Sequence, residues 1–296
     1  CISALDFLKG ISNGKKYRIG NKVAVIGGGF TAVDTARTCI RLGAKEVFIL
    51  YRRTKDEMPA IPEEVVEAEE EGVKIMYLVS PRKILTENGK VTGIRLLNYV
   101  LGDKDSSNRR KPVEVEGTEF TLKIDTVITA LGQRTEESVV SDGLKINSKG
   151  IIENDTETGK TIVDSVFVAG DASIGASNII SAVASGRTTA ISVDKYLSGE
   201  NASLESIKEL NSVDKISVLK RSGNVDRISS MKIYIKDSKD RGKDFEIYSR
   251  TFAEEEAVAE AKRCLNCGCG EGCLLCVEIC NSFAVSNVKG KPFFNN

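Results

Sequence analysis

Histidine and tryptophan are both absent from the 296 residues. Without imidazole there can be no histidine-based triad and no His-zinc site, and the commonest general base at neutral pH is missing from any mechanism. Net charge is missing as well. The 42 lysines and arginines balance 42 aspartates and glutamates, so no overall field draws nucleic acid or an anionic membrane, and partners have to be recognised locally. No apolar run is long enough to span a bilayer and no charged-then-apolar leader stands at the start, so the sequence reads as a soluble, cytoplasmic chain. What is present is an apolar share of 41 %, enough for a sizeable core in two or more compact units and incompatible with a disordered chain.

The first residue is Cys1 rather than methionine, and CISALDFLKG already reads as an amphipathic helix without a cap, which predicts a piece of a longer protein. Residues 1–20 are this lead-in helix and a linker. KVAVI (22–26) is a short apolar run that leads into three glycines and a helical pattern from Thr31 to Leu42. Gly43 stops the helix and EVFILY (46–51) is a second buried strand, giving a βαβ unit of ~30 residues. Pro62 suits the first turn of an acidic helix that ends before Gly72, with Glu63 to Glu71 as a solvated face, and the strand VKIMYLV follows. From Arg82 to Val115 the pattern is extended, with Asn88-Gly89 as a hairpin turn and the polar loop GDKDSSNRRKP between later strands, a β-ribbon inserted into the unit. The strand KIDTVITALG closes that unit, predicted over 21–132. Residues 133–200 hold a second strand–turn–helix, DSVFVAGD leading through SIGAS into NIISAVASGRTTAISVDKYL. Residues 201–251 are polar and lysine-rich, a surface connector, and 252–296 carry the helix AEEEAVAEAKRC into a cluster of cysteines.

Gly27-x-Gly29-x-x-Ala32 sits between a strand and a helix, where a dinucleotide's pyrophosphate binds. Gly27 permits a tight turn, Gly29 lets backbone approach the phosphates, and Ala32 allows close packing of helix on strand. The helix N-terminus offers free N–H groups and the positive end of its dipole. An NAD site would place a carboxylate about 20 positions on to hold the ribose 2′-hydroxyl. Arg52 and Arg53 stand there instead, and two guanidiniums suit a 2′-phosphate, which favours NADPH over NADH. Gly170-Asp171 puts a second glycine and a carboxylate at the end of SVFVA, and the helix from about Asn178 would point its positive end at a group gaining negative charge, as reduced flavin does. Asp34 reads as a favourable charge near a helix start and Cys39 as a small core residue.

Cys264, Cys267, Cys269, Cys273, Cys276 and Cys280 crowd into one segment, a density that argues for a metal site in a reducing compartment. Cys273-x2-Cys276-x3-Cys280 reproduces the last three ligands of a bacterial 4Fe-4S run, with Asn281 in place of the usual proline. The fourth ligand is Cys269, Cys267 or Cys264, and left-over cysteines could serve a second cluster. The rival is structural zinc on Cys264, Cys267, Cys273 and Cys276, but five residues separate those pairs where zinc ribbons use about 15–20.

VAVIGGGFTAVDTARTCIRLGAKEVFILYRRTKDEMPA, the later ITALGQ and SVFVAGDASIGASNIISAVASGR together resemble the glutamate synthase small (beta) subunit family, whose electron-input module is also found in dihydropyrimidine dehydrogenase. The resemblance covers about residues 1–200. It implies an α/β fold of two nested Rossmann-like dinucleotide-binding domains, here with the N-terminal FAD half missing, followed by a small ferredoxin-like iron–sulfur segment that is truncated. By position it implies that Gly28, Phe30 and Thr31 line the NADPH pyrophosphate with Gly27 and Gly29, that Arg52 and Arg53 meet the 2′-phosphate, that Ala130, Leu131 and Gly132 pass beside the nicotinamide, and that Gly170, Asp171, Ser177, Asn178 and Ile179 hold FAD. The implied reaction is hydride transfer from NADPH to FAD, then single electrons to a 4Fe-4S cluster and onward to a redox partner protein or a synthase-type large subunit, with no side chain acting as acid or base. The family's own N-terminal FAD glycine motif and iron–sulfur domain are absent from this sequence. The alternative, of another class, is a non-catalytic electron-transfer or assembly subunit with a structural zinc site. A thioredoxin-reductase-like disulfide reductase would need a Cys-x-x-Cys in the nucleotide domain, where only Cys39 lies.

Overall fold

The computed structural model describes residues 1–104, 109–136, 140, 143–199, 216, 220 and 229–263, with the backbone of 285–288 and 291–294. Two units emerge. The first is Cys1–Gln133 with Ile235–Ser249, and the second is Arg134–Tyr234 with Arg250–Asn296.

In the first unit the chain runs β1 (Ile2–Ser3), α1 (Ala4–Ser12), β2 (Lys22–Ile26), α2 (Phe30–Arg41), β3 (Glu46–Tyr51), α3 (Pro62–Glu70) and β4 (Val73–Tyr77). The ribbon follows as β5 (Val79–Glu87), β6 (Lys90–Lys104), β7 (Arg110–Glu114) and β8 (Phe120–Leu122), and β9 (Thr126–Thr129) returns to the sheet. The five sheet strands are all parallel, in the order β1-β9-β2-β3-β4. Parallel strands are covered on both faces, and alternate residues show how. Val23, Val25, Val47, Ile49 and Ile128 point into a core with Phe7, Val33, Ala36, Cys39 and Val65 from the helices. Ala24, Ile26, Leu50 and Val127 point the other way, into a core with Ile94 and Leu96 of the ribbon. The antiparallel ribbon thus replaces the helical layer that a doubly wound sheet would carry on that face. Its hairpin turns on Asn88 (φ 50°) and Gly89 (φ 73°), with Glu87 paired to Lys90, the two-residue turn whose twist matches the flanking strands.

Ile235–Ser249, a strap, falls within the stretch expected as a connector and packs with the first unit. Its short helix Ser238–Arg241 delivers Arg241, 4 % exposed, to Glu71. Glu71 lies just past α3 and its side chain has no exposed surface. It accepts hydrogen bonds from Arg37 Nη2 (2.6 Å), Arg41 Nη1 (2.7 Å) and Arg241 Nε (3.0 Å). Arg37 also lies over the Tyr248 ring at 4.9 Å. The acidic run expected as a solvated face therefore ends in a buried carboxylate, because three guanidiniums arriving from α2 and from the strap supply the counter-charge that burial requires.

The second unit's described helices are α4 (Asp171–Ile174), α5 (Ile179–Ser198) and Glu254–Lys262. Two strands, β10 (Val285–Val288) and β11 (Lys291–Phe294), pair with each other as an antiparallel hairpin. The strand expected in DSVFVAGD is not formed. Val166–Val168 instead bonds back to its own preceding turn, Thr161 N to Val166 O at 3.0 Å and Val168 N to Gly159 O at 2.8 Å, leaving one isolated bridge between Phe167 and Lys160. A strand is defined by its ladder, and here the backbone groups are consumed locally.

Candidate functional site

The carboxyl end of β2 passes into α2 through three glycines, each held in place for a different reason. Gly27 has φ 146°, and a Cβ there would overlap the Ala130 carbonyl oxygen. Its N–H donates to Leu50 O at 3.1 Å, while Ala130 N–H donates to Ile26 O at 2.8 Å, so the turn is clamped by both neighbouring strands. Gly28 lies flat on Tyr51, whose ring occupies the position a Cβ would take. Gly29 has ordinary extended angles (φ −92°, ψ 179°) and faces empty space. It is the N-cap of α2, no side chain caps that helix, and no acidic residue stands in its first turn. An uncapped helix start beside a bare backbone surface suits an oxyanion pair such as a pyrophosphate. Phe30 and Leu131, 48 % and 72 % exposed, offer apolar surface at the same end of the sheet.

After β3 the two arginines part company. Arg52 is exposed. Arg53 is 5 % exposed, and its Nε donates to the Arg110 carbonyl at 2.8 Å, tying the end of β3 to the ribbon. Tyr51 Oη donates to Glu57 O at 2.6 Å, and Ala60 N–H donates to Gly28 O at 3.3 Å, so the loop after β3 rests on the glycine turn. Burial pushes the Tyr51 hydroxyl up, against the pull of Arg53. Asp34, one turn into α2, is likewise raised by burial, with Arg37 opposing.

In the second unit Gly170 has φ 63° and ψ −150°, and its N–H donates to Ser185 Oγ at 3.0 Å. Asp171 opens α4 and is exposed, as are Ser177 and Ile179. Asn178 caps α5, its Oδ1 accepting from Ser181 N–H at 2.8 Å. The Asn178 oxygen is thereby committed to its own helix, while Ile179 (82 %), Ile180 (81 %) and Val183 (66 %) stay exposed on one side of it.

Residues 3–189 match the pyridine nucleotide-disulphide oxidoreductase family. The chain belongs to that family. Among curated relatives, this oxidoreductase is 37 % identical over 259 residues to NADP(+)-dependent formate dehydrogenase subunit beta of Moorella thermoacetica, covering 84 % of this chain and 36 % of that protein. It is 32 % identical to NADPH-Fe(3+) oxidoreductase subunit beta of Geobacter sulfurreducens (89 % and 44 %), and 39 % identical over 198 residues to the glutamate synthase [NADPH] small chain of Azospirillum brasilense (66 % and 41 %). The chain spans less than half the length of each. Mycobacterium tuberculosis FprA in complex with NADPH shares the fold at a TM-score of 0.52 and 18 % identity, over 77 % of this chain and 61 % of that one.

Within this pyridine nucleotide-disulphide oxidoreductase, one group of expected residues comes together in the first unit, namely Gly27 to Ala32, Arg53 and Ala130. Arg52, Leu131 and Gly132 lie at the same carboxyl ends of its strands. Cys264, Cys267, Cys269, Cys273, Cys276 and Cys280 lie outside the described residues. Among the described residues no group of three or more Cys, Asp or Glu side chains is arranged to hold a metal, and no helix is long and apolar enough to cross a membrane. Sequence reasoning passed over Tyr51 and Glu57, which shape the floor of the turn. An aromatic at the last position of a strand, two residues before a loop rich in charge, was the available signal.

Cys39 is fully buried in the oxidoreductase core and burial pushes its thiol up to about 12. Thiolate is the reactive form. Peptide mapping after brief treatment with a maleimide at pH 7 is expected to find Cys1, which is exposed, labelled and Cys39 unlabelled until denaturant is added.

Proposed function

We propose that the protein is an NADPH-dependent flavin and iron–sulfur oxidoreductase of the glutamate synthase small-subunit type, acting with a redox partner protein or a synthase-type large subunit. The observation that carries this reading is the N-terminus of α2, uncapped by any side chain and fronted by the open face of Gly29. Gly27 to Ala32 would hold the pyrophosphate, Arg52 and Arg53 would meet the 2′-phosphate, and Ala130 to Gly132 would run beside the nicotinamide. Gly170, Asp171 and Ser177 to Ile179 would hold FAD, and four of the six clustered cysteines a 4Fe-4S cluster. When bound, these groups supply hydride transfer and its division into single electrons.

The chain's own part is binding and electrostatics. The first N–H groups of α2 and the positive end of its dipole meet phosphate charge. The clamp of Gly27 between Leu50 and Ala130 keeps those N–H groups aimed without reorganisation. Phe30 and Leu131, exposed at the same end of the sheet, would lend apolar cover to a bound nucleotide. No side chain has to donate or accept a proton. Several relatives are named as the small or beta subunit of a larger enzyme, which supports a protein partner.

The test uses the purified full-length protein. It is expected to be yellow-brown, and NADPH is expected to bleach its flavin absorbance on the order of 100-fold more efficiently than NADH, the effect of two charge-assisted hydrogen bonds. Equal efficiencies, or a colourless zinc-containing protein, would overturn the proposal.

A further inference from the structure

Arg52 and Arg53 are neighbours in sequence and belong to different environments. In a strand successive Cβ atoms point to opposite faces, and the divergence persists into the bend after β3: Arg52 is exposed, whereas Arg53 is 5 % exposed. Arg53 is also held by its side chain and its backbone together. Its Nε donates to Arg110 O of β7 at 2.8 Å, its guanidinium hydrogen-bonds the Tyr51 hydroxyl, and its carbonyl accepts from Leu78 N–H at 3.2 Å. Leu78 makes that last bond from a φ of 55°, a left-handed conformation that a leucine adopts only where its surroundings impose it. The Leu78 carbonyl accepts in turn from Tyr99 N–H at 2.8 Å, so β6 completes the anchorage.

What Arg53 holds matters to the glycine turn. The Tyr51 ring occupies the position a Cβ of Gly28 would take, and its hydroxyl donates to Glu57 O at 2.6 Å. Glu57 accepts from Arg110 Nε at 2.7 Å and from the Thr54 hydroxyl. Tyr51, Glu57, Arg110 and Arg53 thus close a circuit of hydrogen bonds under the turn. A guanidinium leaving it for a phosphate on the solvent side would abandon both Arg110 and Tyr51 and release the ring beneath Gly28. One exposed guanidinium is enough for the phosphate, because its fork presents two parallel N–H groups to a single anion. We propose that the pair divides its work: Arg52 alone reads the phosphate monoester on the adenosine ribose, and Arg53 is a positioning residue that holds Tyr51 beneath the glycine turn and so serves the pyrophosphate. This rests on the dinucleotide reading above and narrows its 2′-phosphate contact to one residue.

The experiment titrates NADP(+) and NAD(+), which have no hydride to give, into the full-length protein and its variants by calorimetry. Arg52→Gln is expected to bind NADP(+) about 10- to 100-fold more weakly, the loss of one or two charge-assisted hydrogen bonds, with NAD(+) changed by less than about twofold. Arg53→Gln is expected to weaken both ligands by the same factor, about 3- to 10-fold, and so to leave their ratio intact. In a Tyr51→Phe background, where the hydroxyl it holds is gone, the same exchange should cost less than about twofold, a coupling that a general loss of stability would not produce. A ratio that survives Arg52→Gln, or that falls with Arg53→Gln, would overturn the division of work, and so would equal losses from Arg53→Gln in both backgrounds. Arg52→Gln changes an exposed side chain, so its result decides the assignment even where Arg53→Gln fails to fold. Equal binding of NADP(+) and NAD(+) by the unaltered protein would instead overturn the NADPH reading and this inference with it.

Discussion

Alanine at position 29 is expected to leave the protein as well folded as before and to strip it of most of its affinity for NADPH. The backbone there is extended, as any residue can be, and a Cβ would meet nothing within 4 Å. The stability change is therefore confined to the difference between glycine and alanine at an N-cap, about 1 kcal/mol or less. That same empty space is where the proposed pyrophosphate would meet the N–H groups at the start of α2, and a methyl group in it would hold the phosphates off. Binding is expected to weaken at least ~30-fold, the loss of two N–H contacts to an anion at about 1 kcal/mol or more each. Gly27→Ala supplies the contrast. At φ 146° alanine is strained by ~1–3 kcal/mol, and its methyl would overlap the Ala130 carbonyl, which strand pairing holds still. Melting temperature and binding should fall together. Calorimetry of both variants, by scanning and by titration with NADP(+), separates the two effects. Normal binding by Gly29→Ala would mean that no pyrophosphate sits on this turn.

Glu71→Gln should be the most destabilising exchange of a single polar group in the first unit. Arg37, Arg41 and Arg241 converge on this carboxylate, and the side chains of all three arginines are at least 91 % buried. Neutralising it strands buried guanidiniums, a loss of roughly 3–5 kcal/mol, or a fall in melting temperature of roughly 6–20 °C for a unit of this size. Glu70→Gln removes a partner of Arg241 that is itself half exposed and is expected to cost under about 1 kcal/mol. The pH dependence has a definite sign. Burial alone would raise the Glu71 carboxyl, but the arginine hydrogen bonds outweigh it and hold it below its ordinary value. The folded state thus binds this proton less readily than the unfolded chain. The contribution is complete at neutral pH and is lost as pH falls below about 4.3 towards the lower folded value. In acid titrations the melting temperatures of the parent and of Glu71→Gln should converge; a constant gap down to pH 2 would contradict the assignment.

What could be read from the sequence was what is local. The glycine turn, the βαβ unit around it, Pro62 at a helix start and the Asn88-Gly89 hairpin each follow from a few adjacent residues, and the structure has all of them. The errors lie where distant segments decide. SVFVA has the composition of a strand, but its backbone bonds to the turn before it. Glu71 ends an acidic run that looks solvated until Arg241 arrives. The two arginines after β3 look equivalent in sequence, and only the ribbon, returning at Arg110, buries one and leaves the other exposed. Ile2–Ser3 pairs with β9 across more than a hundred residues, which two residues could not announce.

The strap has a consequence for how the molecule comes into being. Every strand of the parallel sheet has left the ribosome once Thr129 emerges, yet Arg241 follows Glu71 by 170 residues. For most of that interval the nascent unit can fold its sheet and helices while Glu71 has only the two guanidiniums of α2. Its last cation is translated after all of α5, so the first unit is finished by residues made later than much of the second.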